Sequence, residues 1–206
     1  MDQKIFSKFN VYDQVGYLMV GAVFLLIVVF NAYYFFQVSV PPFTIDTFFA
    51  WFIVAYFLGH LIQGLSNLIT DTEKLRFLIP EAKSEFNERE KAILQQAKEY
   101  FDLEEQDDNR LWNFCYVLAS AKDITGQVQA FNSYYSLYRG WFIIFGLESL
   151  FLLFSFPFKV YDFDILILFM LSLFLTYLFR RRFIRFWKYT RNKVLETFVI
   201  IKTMNI

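Results

Sequence analysis

Apolar runs long enough to cross a bilayer alternate with polar stretches along this chain. From Gly16 to Phe36 the sequence GYLMVGAVFLLIVVFNAYYFF carries no formal charge. At 1.5 Å per residue it makes a helix of about 31 Å, which matches the hydrocarbon core. Bulky Tyr33, Tyr34, Phe35 and Phe36 close the run where a cleaved signal peptide would place small residues, so the segment reads as a retained first span. Pro41-Pro42 then forces a turn, and Thr44-Ile45-Asp46 offers a helix start for a second apolar stretch over 47–69. A third span is predicted over 139–156, ahead of Pro157, and a fourth over 163–179 as FDILILFMLSLFLTYLF.

Between these hairpins, residues 71–138 change character, with 13 carboxylates against eight cations. Pro80 and the following EAKSEFNEREKAILQQAKEYFD suit a helix start, with Phe86, Ile93, Leu94, Ala97 and Phe101 near one face. A second helix is predicted over 110–121. A third begins near Asp123 and meets no breaker before the third span. Such short pieces are expected to pack as a helical cap against membrane-proximal ends or another copy of the chain.

The architecture is therefore read as all-α and polytopic: an N-terminal transmembrane hairpin (1–70), a cytoplasmic helical segment (71–138), a C-terminal hairpin (139–179) and a basic juxtamembrane tail (180–206). Composition agrees, because 57% hydrophobic and 22% aromatic residues exceed what a soluble domain of this size carries. Net charge is zero, so the charges inform through position. Lys4 and Lys8, the cations of the middle segment, and the tail cations Arg180, Arg181, Arg182, Arg185, Lys188, Arg191, Lys193 and Lys202 all predict an N-in, C-in topology. The two opposite loops hold only Lys159.

The sequence offers no phosphate-binding glycine loop, no nucleophile elbow and no paired histidines or cysteines at metal spacing. One histidine and one cysteine, Cys115, leave no means of assembling the usual hydrolase or zinc sites within a chain. No enzymatic role, metal or cofactor is expected. Cys115 reads as a small apolar core residue.

Polar residues inside the spans carry the candidate chemistry. His60, Gln63 and Asn67 fall on one stripe of the second span, near Gly59 and Gly64, which allow close helix approach. Glu148 interrupts the third span, and an intramembrane carboxylate needs a partner, a wet cavity or another subunit. His60 lies nine residues before Ile69, and Glu148 nine after Arg139. Counting from those ends places both about 13 Å from the cytoplasmic face and predicts one layer, with Gln63 and Asn67 one and two turns closer to the cytoplasm and Asn31 in a separate contact nearer the opposite face. The layer either fastens helices within or between subunits or lines a gated path, with Glu148 selecting cations and His60 sensing pH. The tail's basic residues, interleaved with Phe183, Phe186, Trp187 and Tyr189, suit either a helix lying on an anionic leaflet as a topology anchor or an RNA docking site.

Tyr12-Asp13 with Gly16-Tyr17, and Tyr56-Phe57-Leu58-Gly59-His60 with Gln63, resemble a pattern in small multi-spanning proteins of bacterial phage-defence loci. Size, span number and the middle segment are similar to the membrane accessory protein of type VI-B CRISPR loci. The resemblance covers mainly residues 12–70 and carries over no catalytic residue. It implies an accessory that modulates or executes an antiviral response at the inner membrane. The expected partners are the lipid bilayer, further copies of the chain as a homo-oligomer, and a soluble defence nuclease or ribonucleoprotein. On this basis the leading expectation is an oligomer that alters membrane permeability when triggered; the alternative is a non-conducting adaptor that recruits or regulates a soluble partner.

Overall fold

In the computed structural model, the described residues are 11–71, 86–103, 107–156 and 163–204. The expectations placed on Pro80, on the 157–162 loop with Lys159, and on Lys4 and Lys8 lie outside them. Among the described residues the chain is all-helical: α1 (Val11–Phe36), α2 (Ile45–Asp71), α3 (Glu88–Tyr100), α4 (Asp108–Lys122), α5 (Gln127–Ser155) and α6 (Phe163–Met204). Four of them, α1, α2, α5 and α6, are long and apolar enough to cross a membrane. The chain divides into two compact units, Met1–Arg76 with Ser136–Phe183, and Phe77–Tyr135 with Ile184–Ile206. Helices α5 and α6 contribute a stretch to each.

The first unit holds the apolar helices. α1 ends on Gln37, whose positive φ of 52° closes the helix while its N–H still bonds Tyr33 O. Reciprocal bonds between Thr44 and Thr47, each side-chain oxygen accepting the other's N–H, start α2 where Thr44-Ile45-Asp46 predicts it. α1 and α2 run antiparallel in backbone contact. A Cβ on Gly21 would stand 1.6 Å from Ala55 O, and one on Gly59 would stand 1.9 Å from Tyr17 O, so only glycine fits at either place. Gly64, expected to share this role, has nothing within 4 Å of its Cβ position.

α5 runs parallel to α1, with Gly140 against Val20 and Phe35 edge-on to Phe151 at 5.1 Å. It runs antiparallel to α6, where Ser149 Oγ donates to Phe145 O, Ser172 Oγ donates to the same carbonyl, and the two hydroxyls lie 2.9 Å apart. Phe142 on Phe183 and Tyr138 on Phe179 extend this contact. Lipid-side positions such as Leu26, Ile53, Phe57, Met170 and Phe174 stay exposed, as they must when hydrocarbon is the solvent.

The second unit has an ordinary buried core. Leu94 and Ala97 of α3, Leu111, Cys115 and Ala119 of α4, Val128 of α5, and Val194, Leu195 and Phe198 of α6 form one cluster, with Phe86, Ile93 and Phe101 packed on it. Asn87 caps α3, its side chain accepting from Glu90 N–H while Glu90 accepts from Asn87 N–H. That Asn-x-x-Glu box is the local signal for the start of α3. α4 keeps close to its predicted range. α5 starts at Gln127 after a turn in which Asp123 accepts from Thr125 N–H and Val128 N–H, and Gly126 takes φ +66°. Asp123 titrates below the usual carboxylate range: its partial burial would raise it, but the bonds from Thr125 and Val128 and the Lys193 charge outweigh that. Burial pushes the Cys115 thiol up to about 12.

The tail is no separate helix. Residues 180–204 continue α6, and Val194, Leu195 and Phe198 pack into this core. The expectation of a surface-facing basic tail fails at Arg191, which is 6% exposed, donates to the Glu90 carboxylate and stacks its guanidinium 4.1 Å from the Phe86 ring centroid. Hydrophobic spacing on the tail is helical, and that face needed a protein partner.

Candidate functional site

Glu148 belongs to a stretch of α5 that carries an unbroken apolar face, and its carboxylate accepts one hydrogen bond, from Asn31 Nδ2 of α1 at 2.7 Å. Two apolar grooves meet at this carboxylate. One, of about 350 Å³, is lined by Phe24, Ile27, Val28, Phe36, Leu147 and Phe151 among others. The other, of about 160 Å³, lies between α1, α5 and α6, with Phe30, Leu168 and Ser172 in its wall. Glu148 is half-buried, and Asn31 Oδ1 is shut off from solvent without an acceptor bond.

The expected layer of His60 and Glu148 does not form, and Asn31, assigned to a separate contact, is the partner Glu148 uses. The register of α1 and α2 gives the reason. Gly59 lies on Tyr17, so His60 is level with the first turn of the first span, whereas Glu148 is level with Asn31, fourteen residues or about 21 Å further along α1. α2 extends ten residues beyond that contact to Ile69, so Ile69 and Arg139 are not equivalent depth marks. His60 is exposed, with Tyr17 and Tyr56 rings at 4.5 and 4.6 Å, and Tyr56 donates its hydroxyl to Gln14 Oε1.

Gln63 and Asn67 form a second cluster around a residue that sequence reasoning treated only as a boundary. Arg139 is 8% exposed; its Nη2 donates to Gln63 Oε1 at 3.3 Å and Asn67 Oδ1 at 2.5 Å, and Gln63 Nε2 donates to Ser136 O at 2.9 Å. An arginine on α5 reaches back toward the helix N-terminus, which brings its head beside the amides of α2. The available signal was a cation next to a span whose neighbour carries two amides one turn apart. These groups fasten α5 to α2 at the level where the first span starts.

Of the tail cations, Arg181, Arg182, Arg185 and Lys188 are exposed and Arg180 and Lys193 half-buried. Arg181 lies 5.9 Å over Tyr177, and Arg185 5.3 Å over Tyr189, whose hydroxyl accepts from its Nε at 2.7 Å. Among the described residues, no three His, Cys, Asp or Glu side chains gather closely enough to hold a metal ion. No family model, curated protein or solved structure matches the chain.

Proposed function

We propose that this protein is a membrane effector that acts as an oligomer and alters the permeability of the bilayer when triggered. One observation carries the reading: a carboxylate in an apolar span is held by a single amide and opens onto grooves on the outer face of its own helices. An acidic side chain at such depth costs about 3 kcal/mol on insertion scales, and groups retained against that cost mark pathways or contacts within the bilayer. Four spans of one copy leave little room for a pore, so conduction requires several copies, brought together so that water reaches Glu148. An ionised Glu148 lining that path would favour cations over anions. The Arg139 cluster is the fastener in this account, because its bonds to Gln63 and Asn67 join α5 to α2 within the unit.

The resemblance at Tyr12-Asp13, Gly16-Tyr17 and Tyr56–Gln63 supplies a setting, antiviral defence at a bacterial inner membrane, with N-in and C-in topology supported by the cation distribution. A second reading, a non-conducting adaptor for a soluble nuclease or ribonucleoprotein, draws on α4, where Phe114 and Val117 stay exposed one turn apart beside a folded core. Expression in a bacterium with a voltage-sensitive dye separates the two. Depolarisation by the wild type and not by Glu148→Gln, at matched membrane levels, supports the effector. Absence of depolarisation with and without phage infection refutes it and leaves the adaptor.

A further inference from the structure

We propose that the Asn31–Glu148 pair is a proton-binding site, in which Glu148 is carried as a carboxylic acid and closes a two-bond ring with the Asn31 amide. Asn31 Nδ2–H already donates to one carboxyl oxygen at 2.7 Å, while Asn31 Oδ1 is buried and accepts nothing. A carboxylate cannot satisfy that oxygen, because it is an acceptor only. A carboxylic acid can: one proton from water adds to the carboxylate, its O–H donates to Asn31 Oδ1, and its carbonyl oxygen keeps the Nδ2–H bond. The ring leaves no charge in the hydrocarbon and satisfies the buried amide oxygen, which otherwise loses a hydrogen bond's worth of stability.

Among the described residues that line the grooves there is no rival partner. Residues of α1, α5 and α6 that line the two grooves are apolar apart from Asn31, Glu148 and Ser172, and none but Glu148 titrates or carries a charge. Ser172 Oγ is engaged with Phe145 O. The inference deepens the reading of Glu148 as the functional group: the closed state holds the proton, and entry of water into the grooves releases it and leaves a carboxylate facing the path.

Infrared spectroscopy of the full-length protein in lipid nanodiscs at pH 7 tests the site without any flux measurement, so it fails or succeeds separately from the permeability reading. The wild-type minus Glu148→Gln difference spectrum is expected to contain a carboxylic-acid carbonyl band that shifts down in D2O. Glu148→Gln can close the same ring amide to amide and should fold. Asn31→Leu should keep the band but move it to higher frequency, because the carbonyl loses its donor. A difference spectrum with carboxylate bands alone overturns the proposal, as does an unmoved band in Asn31→Leu. Should either variant fail to fold, the wild type alone decides: the band must persist at pH 8, where solvated carboxyls are ionised, and its absence there overturns the inference.

Discussion

Adding one methyl group to Gly21 or Gly59 should pull α1 and α2 apart, and the structure sets the scale. An ordinary Cβ contact begins at 3.4 Å, and the Gly21 Cβ position is 1.6 Å from Ala55 O, a deficit of 3.4 − 1.6 = 1.8 Å; at Gly59 it is 3.4 − 1.9 = 1.5 Å against Tyr17 O. Both obstacles are backbone, so no side chain can rotate away and the helices must separate. Overpacking of this kind costs typically about 1–3 kcal/mol, and here separation also sacrifices the close approach that drives association in lipid. We expect Gly21→Ala and Gly59→Ala to lose about 2 kcal/mol or more, roughly a thirtyfold shift in the folding equilibrium. Gly16→Ala and Gly64→Ala are matched controls, with nothing within 4 Å of the new methyl, and should be neutral or gain about 0.5–1 kcal/mol of helix propensity. Reversible unfolding in mixed micelles, titrated with sodium dodecyl sulfate and followed by circular dichroism, gives the comparison. If Gly21→Ala is as stable as Gly64→Ala, the packing of the first hairpin is not as described.

Four other outcomes follow from the geometry. Replacing Glu90 by Gln or Arg191 by Leu strands one member of a buried ion pair and should destabilise the second unit by about 3–5 kcal/mol in thermal unfolding. Asp123, whose carboxyl is depressed in the folded state by its bonds to Thr125 and Val128, contributes stability that is present above the unfolded value near about 4 and is lost as pH falls through the folded one; Asp123→Ala should flatten that acid limb and cost about 1 kcal/mol at neutral pH. Cys115, held protonated in the core, should resist iodoacetamide at pH 8 in the native protein and react once it is unfolded. Spin labels on cysteines at positions 31 and 148 should lie closer together by pulsed electron resonance than labels at 60 and 148, which the register separates by about 21 Å along α1.

Hydropathy made the four spans legible because a lipid-facing helix advertises itself through length and the absence of charge. Even the continuity of α5 out of the polar segment could be read, since no proline interrupts it after Gly126. What could not be read was register. The depth of His60 was counted from Ile69, but the contact of Gly59 on Tyr17 fixes it, and that contact depends on which glycine meets which backbone across two helices. Asn31 and Glu148 are 117 residues apart, and no local pattern joins them. The tail illustrates a different limit. Its cations pointed to a membrane surface, while the equally periodic Val194, Leu195 and Phe198 pointed to a core, and the charge pattern alone hid the place of Arg191. Arg139 was passed over for the related reason that a cation near a span end is ordinarily a topology signal.

The central claim, that Glu148 serves a cation-permeable assembly, is tested most directly by ion flux through the purified protein. Wild type and Glu148→Gln would be reconstituted at equal density into liposomes holding a potassium gradient, and potassium efflux followed with the chloride permeability measured in parallel. The account predicts potassium efflux that rises more steeply than linearly with protein density, exceeds chloride flux and is abolished in Glu148→Gln. Equal fluxes of both ions, or efflux unchanged in Glu148→Gln, would contradict it.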